Sequence, residues 1–307
     1  MPTVTVGVMA YNEEAHLVST LDSILRQGYQ DYEVIIADNA SEDSTPEIAQ
    51  RYARTDPRVR HFRQSRNIGA ILNFHTLVEQ AQGQYFVLAG AHDLWSDNYL
   101  EHLVAALETE DQAVLAYGRT VWVDERGQHQ DRAVSFLDTS GLSPLARFNI
   151  TLWGNQHALY GMYRLSTLRQ CRTNLLIIGN GAVLLGELAL RGYFIVVPET
   201  TWFRRLVREP ETTDQRLKRY FSVLFPNRRH RFCPHWRIPF EYIRAVLQSP
   251  LSMHNKLLAI ICCGSVFIIQ RRNMISDLAS LVSRTIRLKW HGAAPRKKNA
   301  DKERPCA

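Results

Sequence analysis

Two short segments, VTVGVMA at residues 4–10 and YEVIIAD at residues 32–38, constrain this fold more than anything else in the chain. Both are nearly unbroken apolar runs rich in β-branched residues. They are too short to cross a membrane, and they lack the alternation of a strand with one wet face. Strands of this kind are buried on both sides, which requires helices above and below the sheet. The intervening residues supply one helix, because Leu17, Leu21, Ile24 and Leu25 fall on a single stripe. Asp38 ends the second run and is followed by NASEDSTPEIAQRYA, where Ser44 or Thr45 caps a second helix with Pro46 in its first turn. A third strand is expected over Val59–Arg63 and a third helix over residues 70–82. A fourth strand opens the stretch QYFVLAGAHDLWSDNYLEHL.

Strand and helix thus alternate with short connections, which predicts an α/β fold: a mainly parallel central sheet with helices on both faces. Ligands of such sheets bind beyond the carboxyl ends of the strands. AYNEE, ADNAS, RNIG and GAHD all follow strands, so the topology gathers them into one crevice. The GAHD turn suits two readings, a βα loop in which Asp97 caps the next helix, or a ligand or metal site. Further on, AVLAYGRTVWVDERGQ is expected to form two strands around a turn and LSPLARFNI a short helix. Val183–Arg191 forms another helix before the strand YFIVVPE. Successive helices follow from Thr213, and a disordered tail begins at His291.

Charge divides the chain. Residues 204–307 carry 22 Lys and Arg against 7 Asp and Glu, whereas the first 203 carry 15 against 23, and all six lysines lie in the later part. An acidic domain followed by a basic segment points to an anionic partner for that segment. The five cysteines are odd in number and Cys262 and Cys263 are neighbours, a poor disulfide framework that fits a reducing compartment. VTVGVMA has no basic flank before it and does not resemble a signal peptide. Leu257–Gln270 is the most apolar stretch, yet it falls short of the roughly 20 residues a bilayer requires. A buried or interfacial helix is preferred there. The segment ISDLASLVSRTIRLKW is basic and amphipathic, suited either to an anionic membrane surface or to packing on the domain with a solvated basic face.

No G-x-G-x-x-G follows the first strand, and neither G-x-x-x-x-G-K-[ST] nor G-x-S-x-G occurs, which removes the main support for dinucleotide, P-loop and α/β-hydrolase readings. His230, Cys233 and His235 lack a fourth ligand at zinc-finger spacing. What remains is the N-terminal assembly of strand, Tyr-Asn-Glu turn and helix, with a second strand entering a loop that carries Asp38, Ser41, Asp43 and Thr45. It resembles family-2 glycosyltransferases of the GT-A fold. The resemblance continues through Asn67–Gly69, Asn73 and the GAHD stretch, and more weakly to GELALRGYFIVVPE.

The resemblance implies a hexosyltransferase-type enzyme that uses a nucleotide-sugar donor and a glycan or lipid-linked acceptor, with inversion at the sugar. Asp38 would receive the base, with Ala10, Tyr11, Glu13, Asn67, Asn73 and Ala91 lining the donor pocket. Relatives carry a carboxylate-rich turn that holds a divalent metal. In this chain Gly90 and His92 stand in that turn, leaving His92 and Asp93 as catalytic candidates, Asp93 as metal ligand, and a weakened Mn²⁺ or Mg²⁺ site. The acid of the late motif falls on Gly181, and Glu187 sits off the leading face of its helix, so His157 and Asn180 are the acceptor-side candidates. Relatives often carry a histidine where Val207 stands. Arg204, Arg205 and Arg208 either neutralise a diphosphate directly or are solvated at a basic junction. The expected organisation is a GT-A-like domain over residues 1–207, a basic helical appendage over 208–290 and a tail over 291–307. The protein is expected in the cytoplasm, peripheral on the inner membrane face, and without a nucleic-acid partner. A GT-A scaffold that binds nucleotide-sugar or a partner subunit without catalysis is the alternative.

Overall fold

The computed structural model of the chain describes residues 1–132, 134, 138–154, 156–206, 213–226 and 234–292. Strands β1 (Val4–Ala10), β2 (Tyr32–Asp38), β3 (Val59–Arg63) and β4 (Tyr85–Gly90) alternate with helices α1 (Leu17–Leu25), α2 (Thr45–Thr55) and α3 (Ala70–Gln80). A two-residue strand β5 (Leu94–Trp95) precedes α4 (Tyr99–Thr109). Then come β6 (Ala113–Val123), β7 (His129–Gln130), α5 (Pro144–Trp153), β8 (Met162–Arg164), α6 (Leu165–Leu168), α7 (Asn180–Ala189) and β9 (Tyr193–Arg205). Helices α8 (Thr213–Leu224), α9 (Arg237–Gln248) and α10 (Met253–Gly292) complete the described chain.

All the strands join one sheet in the order β3-β2-β1-β4-β8-β6-β9-β5, with β7 paired to β6. The β3, β2, β1 and β4 strands are mutually parallel. The later half is mixed, because β8 runs antiparallel to both β4 and β6 whereas β6 and β9 are parallel.

The unbroken apolar strands have the expected consequence. On one face Val4, Val6, Val8, Val34 and Ile36 pack with Leu17, Leu21, Ile24, Leu100 and Leu103. On the other face Ile35, Ala37, Phe86 and Leu88 pack with Phe74, Leu77, Leu184 and Leu188. Alternate residues of one strand thus serve two cores, and the buried polar pair within them, Thr5 and Glu33, is satisfied by a 2.7 Å hydrogen bond from Thr5 Oγ1 to Glu33 Oε1.

One expectation is met and one is corrected. AVLAYGRTVWVDERGQ, expected to form two strands around a turn, forms β6 and a turn at residues 124–128, after which β7 pairs back on β6. Gly118 sits where its register against β9 shifts, and a Cβ there would stand 2.6 Å from the Thr200 carbonyl oxygen. The residue capping α4 is Asn98, whereas Asp97 forms an exposed 2.9 Å pair with Arg26.

Helices α9 and α10 share a third core with α5 and α7, built from Phe148, Leu152, Val183, Ile238, Tyr242, Val246, Ala259, Cys263 and Val266. Buried charge reinforces this junction: Arg172 bonds Glu187 of α7 through both its backbone N–H and its guanidinium, and reaches Glu241 of α9 at 2.6 Å. Among the described residues Cys171, Cys262 and Cys263 are free thiols. His230 and Cys233 lie outside the described residues. His235 instead bonds Asp277 of α10 at 3.1 Å. The tail beyond residue 292 is likewise outside them.

Candidate active site

The carboxyl ends of β1, β2, β3 and β4 adjoin, with Ala10 in register with Asp38, Asp38 with Arg63, and Met9 with Gly90. The loops leaving β1 and β2 are stitched together by polar residues of the two motifs. Asn12, in the left-handed region at φ 54°, donates its N–H to Ser41 Oγ and accepts from Glu42 N–H. Glu13 N–H donates to Thr45 Oγ1, Glu14 N–H to Asp43 Oδ2, and Ser44 N–H to Glu14 Oε2. Ser41, Asp43 and Thr45 therefore build the frame, while Tyr11 stands exposed at its edge.

Asp38 is fully buried. Its Oδ1 accepts the Ser41 N–H at 2.9 Å, whereas Oδ2 lies 3.1 Å from Arg63 Nε in an ion pair but has no donor aligned on it. Such a carboxylate oxygen is an acceptor still in need of a hydrogen bond. Arg63 is a member of this site that sequence reasoning missed. Its place at the end of β3, level with Asp38, is the signal that would have revealed it. Asn67 braces the neighbouring turn, its Oδ1 accepting from Asn39 Nδ2 and from Gly69 N–H at 2.9 Å each. Asn73, expected among the donor-binding residues, is buried and donates to the Ala37 carbonyl, so it serves the scaffold. Ala10 is also buried, and its carbonyl accepts Asn39 N–H.

The turn after β4 carries the chain's departure from the expected carboxylates. Ala91 is buried, with its carbonyl accepting from Thr20 Oγ1. His92 Nδ1 pairs with Glu13 Oε1 at 2.9 Å, joining this turn to the β1 loop. Asp93 is buried, its Oδ1 accepts Arg205 N–H at 3.1 Å, and a Cβ on Gly90 would stand 2.6 Å from its Oδ2. Burial pushes its carboxyl pKa up, opposed chiefly by His92.

This donor set does not fit a divalent cation. Gly90 offers no ligand, His92 is engaged with Glu13, and Asp93 faces inward. Among the described residues no group of three or more His, Cys, Asp and Glu is arranged to hold a metal ion. Asp93 as metal ligand is therefore corrected, for the physical reason that its side chain packs under the turn. Arg205 is also buried, with Nη1 2.7 Å from His16 Nδ1 and Nε without a hydrogen-bond partner. Burial, then Arg205, lowers the His16 pKa.

A cavity of about 460 Å³ lies below these strand ends, reaching from Met9 and Leu88 to α3 and α7. His157, Asn180 and Arg204 all line it, together with Tyr160 and Arg219, which the sequence did not single out. Asp38, Asn67 and Asp93 do not line it, so the expected single hollow is divided between a stitched loop frame and this cavity. Arg204 sits over the rings of Trp122, Tyr160 and Trp202, 4.5 Å from the first centroid, and Tyr160 stacks on Trp202. The alternation of β9 explains why Arg204 enters the cavity and Arg205 turns toward α1. His157 Nδ1 lies 3.0 Å from Thr120 Oγ1, and burial together with Arg204 lowers its pKa to about 4. Glu187 is held by Arg172 away from this cavity. Val207 and Arg208 lie outside the described residues.

Comparisons with known proteins identify the family and the fold. The family model for Glycosyl transferase family 2 matches residues 5–169, more than half of the chain. The chain therefore belongs to that family. TuaG of Bacillus subtilis, a glycosyltransferase named for teichuronic acid biosynthesis, is 33% identical over 100 residues, which are 33% of this chain and 40% of TuaG. The glycosyltransferase GlyG of Streptococcus pneumoniae is 30% identical over 112 residues, 36% of this chain and 37% of GlyG. The matched regions thus span about two fifths of these relatives' lengths. Among solved structures, TarS 1–349 of S. aureus in complex with UDP-GlcNAc aligns over 91% of this chain and 80% of its own, at TM-score 0.67 and 15% identity. Mannosyltransferase PcManGT of Pyrobaculum calidifontis, in complex with GDP-Man and Mn²⁺, aligns over 93% and 81% at TM-score 0.53 and 18% identity. At these identities the likeness is one of fold, and the fold is the GT-A type.

Proposed function

We propose that this chain transfers a hexosyl group from a nucleoside-diphosphate sugar to a hydroxyl of a glycan or lipid-linked acceptor, in a single inverting displacement at the cytoplasmic face of a membrane. The observation that carries this reading is the buried Asp38 carboxylate, held at the head of a frame stitched from the β1 and β2 loops, with one oxygen still lacking an aligned donor. The N–H edge of a nucleobase supplies such a donor once the loops covering Oδ2 part, and Tyr11 offers an exposed ring at the frame's edge. The relatives' names and the nucleotide sugars bound to TarS and PcManGT point the same way.

The chemistry asks three things of the cavity. The acceptor oxygen must meet the anomeric carbon, the diphosphate must leave with the bonding pair, and the hydroxyl proton needs a recipient. Arg204, fixed among three rings, is suited to the charge that builds on the leaving diphosphate. Asn180 at the start of α7 is suited to orient the acceptor hydroxyl. His157 is the base in this reading because it lines the cavity beside Asn180 and Arg204; its lowered pKa keeps the imidazole neutral at physiological pH while making it a weaker proton acceptor than an ordinary histidine. The reading is tested by calorimetric titration with UDP, GDP and dTDP followed by a donor-turnover assay. A nucleotide that binds wild type but not Asp38→Ala supports it, and the absence of binding by any nucleotide would end it in favour of a non-catalytic scaffold.

A further inference from the structure

Two arginines, Arg204 and Arg219, line the cavity that holds His157 and Asn180, and no Asp or Glu is among its lining residues. With His157 neutral at physiological pH, that lining is positive. Arg204 comes from the end of β9. Asp93 Oδ1 accepts the N–H of the next residue, Arg205, so the carboxylate of the GAHD turn anchors the strand end that presents Arg204. Arg219 comes from α8, where it is half-buried while Lys218 beside it is exposed. The end of α8 rests on the turn that Asn67 braces. A Cβ on Gly69, which is at φ 86°, would stand 2.5 Å from the Leu224 carbonyl oxygen. Gly69 N–H bonds Asn67 Oδ1, which also accepts from Asn39, the neighbour of Asp38. Leu224 lines the cavity as well. One helix therefore touches both the frame that carries Asp38 and the cavity that carries His157.

We propose that Arg219 and Arg204 together hold the diphosphate of the donor, and that this chain therefore binds its donor without a divalent cation. The proposal rests on the transferase reading and names the partners of its leaving group. Met9 and Ala70 line the cavity, and each is one residue from the frame, at Ala10 and Gly69. A nucleotide sugar with its base at the frame and its sugar in the cavity carries its diphosphate across that boundary. Two guanidinium groups supply the two positive charges that a divalent cation would bring, and each presents paired N–H donors matched to phosphate oxygens. Partial burial strengthens both contacts. The turn after β4 offers no competing site, since His92 is engaged with Glu13 and Asp93 with the Arg205 backbone. The basic excess past residue 203 was expected to seek an anionic partner, and these two arginines give it one inside the site.

The test uses the full chain and calorimetry in EDTA with three probes: whichever of UDP, GDP and dTDP wild type binds most tightly, its nucleoside, and inorganic pyrophosphate. The nucleotide is also titrated in Mn²⁺, and its affinity should agree within about twofold between the two conditions. Arg219→Gln should weaken the nucleotide roughly tenfold or more and leave the nucleoside within about twofold, a split that a merely structural role would not give. Arg219→Lys keeps the charge without the fork and should lose less. On wild type, pyrophosphate in EDTA should protect Arg204 and Arg219 from phenylglyoxal, as mapped by peptide mass spectrometry. Should the variants prove unstable, that map decides alone. Equal nucleotide affinity in wild type and folded Arg219→Gln, an equal loss of nucleotide and nucleoside, a larger gain with Mn²⁺, or no protection of Arg219 would each overturn the proposal. Failure of the wild type to bind any nucleotide would defeat the transferase reading separately, and the pyrophosphate map would still decide whether the two arginines form a diphosphate site.

Discussion

Asp38 and His157 have opposite electrostatic situations, and each yields a measurement. Asp38→Asn keeps the volume but turns half of a buried acceptor into a donor facing Arg63 and the base. UDP affinity should fall roughly 10- to 100-fold, the size of a lost buried hydrogen bond with a charged partner. An affinity equal to wild type would remove Asp38 from base recognition. His157 has its pKa held at about 4, below the ordinary 6.5, by burial and Arg204. The folded protein therefore binds fewer protons than the unfolded chain between those two values. Stability is insensitive to this group above pH 6.5 and declines as pH falls toward 4. The acid limb of kcat/KM should lie near pH 4 by the same logic, and a limb near 6.5 would exclude His157 as the base. His92 and Asp93 lead to a third expectation. With Glu13 taking the imidazole and the carboxylate turned inward, UDP binding should be the same in EDTA as in Mn²⁺. Enhancement by Mn²⁺ that disappears in His92→Ala would show that the turn rearranges into a metal site.

At the scale of elements, the helical region is bolted to the sheet domain by Arg172, which links Glu187 of α7 with Glu241 of α9. Removing one member of a buried ion network leaves the others unpaired, so Arg172→Met should cost about 3 kcal/mol in chemical denaturation. A loss no larger than that of a surface substitution would mean that the shared apolar core alone holds the junction. Neither this network nor the Glu13–His92 pair was legible in the sequence, because each joins residues that only the finished topology brings together. The first four strands and three helices were legible to within a residue or two. Their burial is dictated locally, by strands apolar on both faces and helices with one stripe. The β6–β9 ladder was not, since its bulge at Gly118 answers to the Thr200 backbone across the sheet. Asp38, His157, Asn180 and Arg204 were singled out because strand ends and helix starts mark positions near ligands; the last three line one cavity and Asp38 lies outside it. Asp93 and Asn73 were misassigned because polarity alone does not tell which way a side chain turns.

For the molecule as a whole, the question is how α10 meets its surroundings. Met253–Leu278 is long and apolar enough to cross a membrane by length and composition. Ala259, Cys263, Val266 and Met274 on one side are nevertheless buried, the first three in the core shared with α5 and α9. A spanning helix would have to take that packed face into lipid along with part of the domain. The opposite side exposes Met253, Leu257, Ile261, Ile268 and Ile275, with Arg271 and Arg272 beside them. One committed face and one open apolar face with basic neighbours suit a helix lying along an anionic surface. The full chain should accordingly float with vesicles containing anionic phospholipid and much less with neutral ones. It should be released by high salt or alkaline carbonate, which leave spanning helices in place. Ile261→Glu with Ile268→Glu should abolish flotation while nucleotide titration stays unchanged, since neither side chain reaches the strand-end frame. Retention in carbonate would show that α10 spans, and unchanged flotation of the double variant would move the membrane contact elsewhere on the molecule.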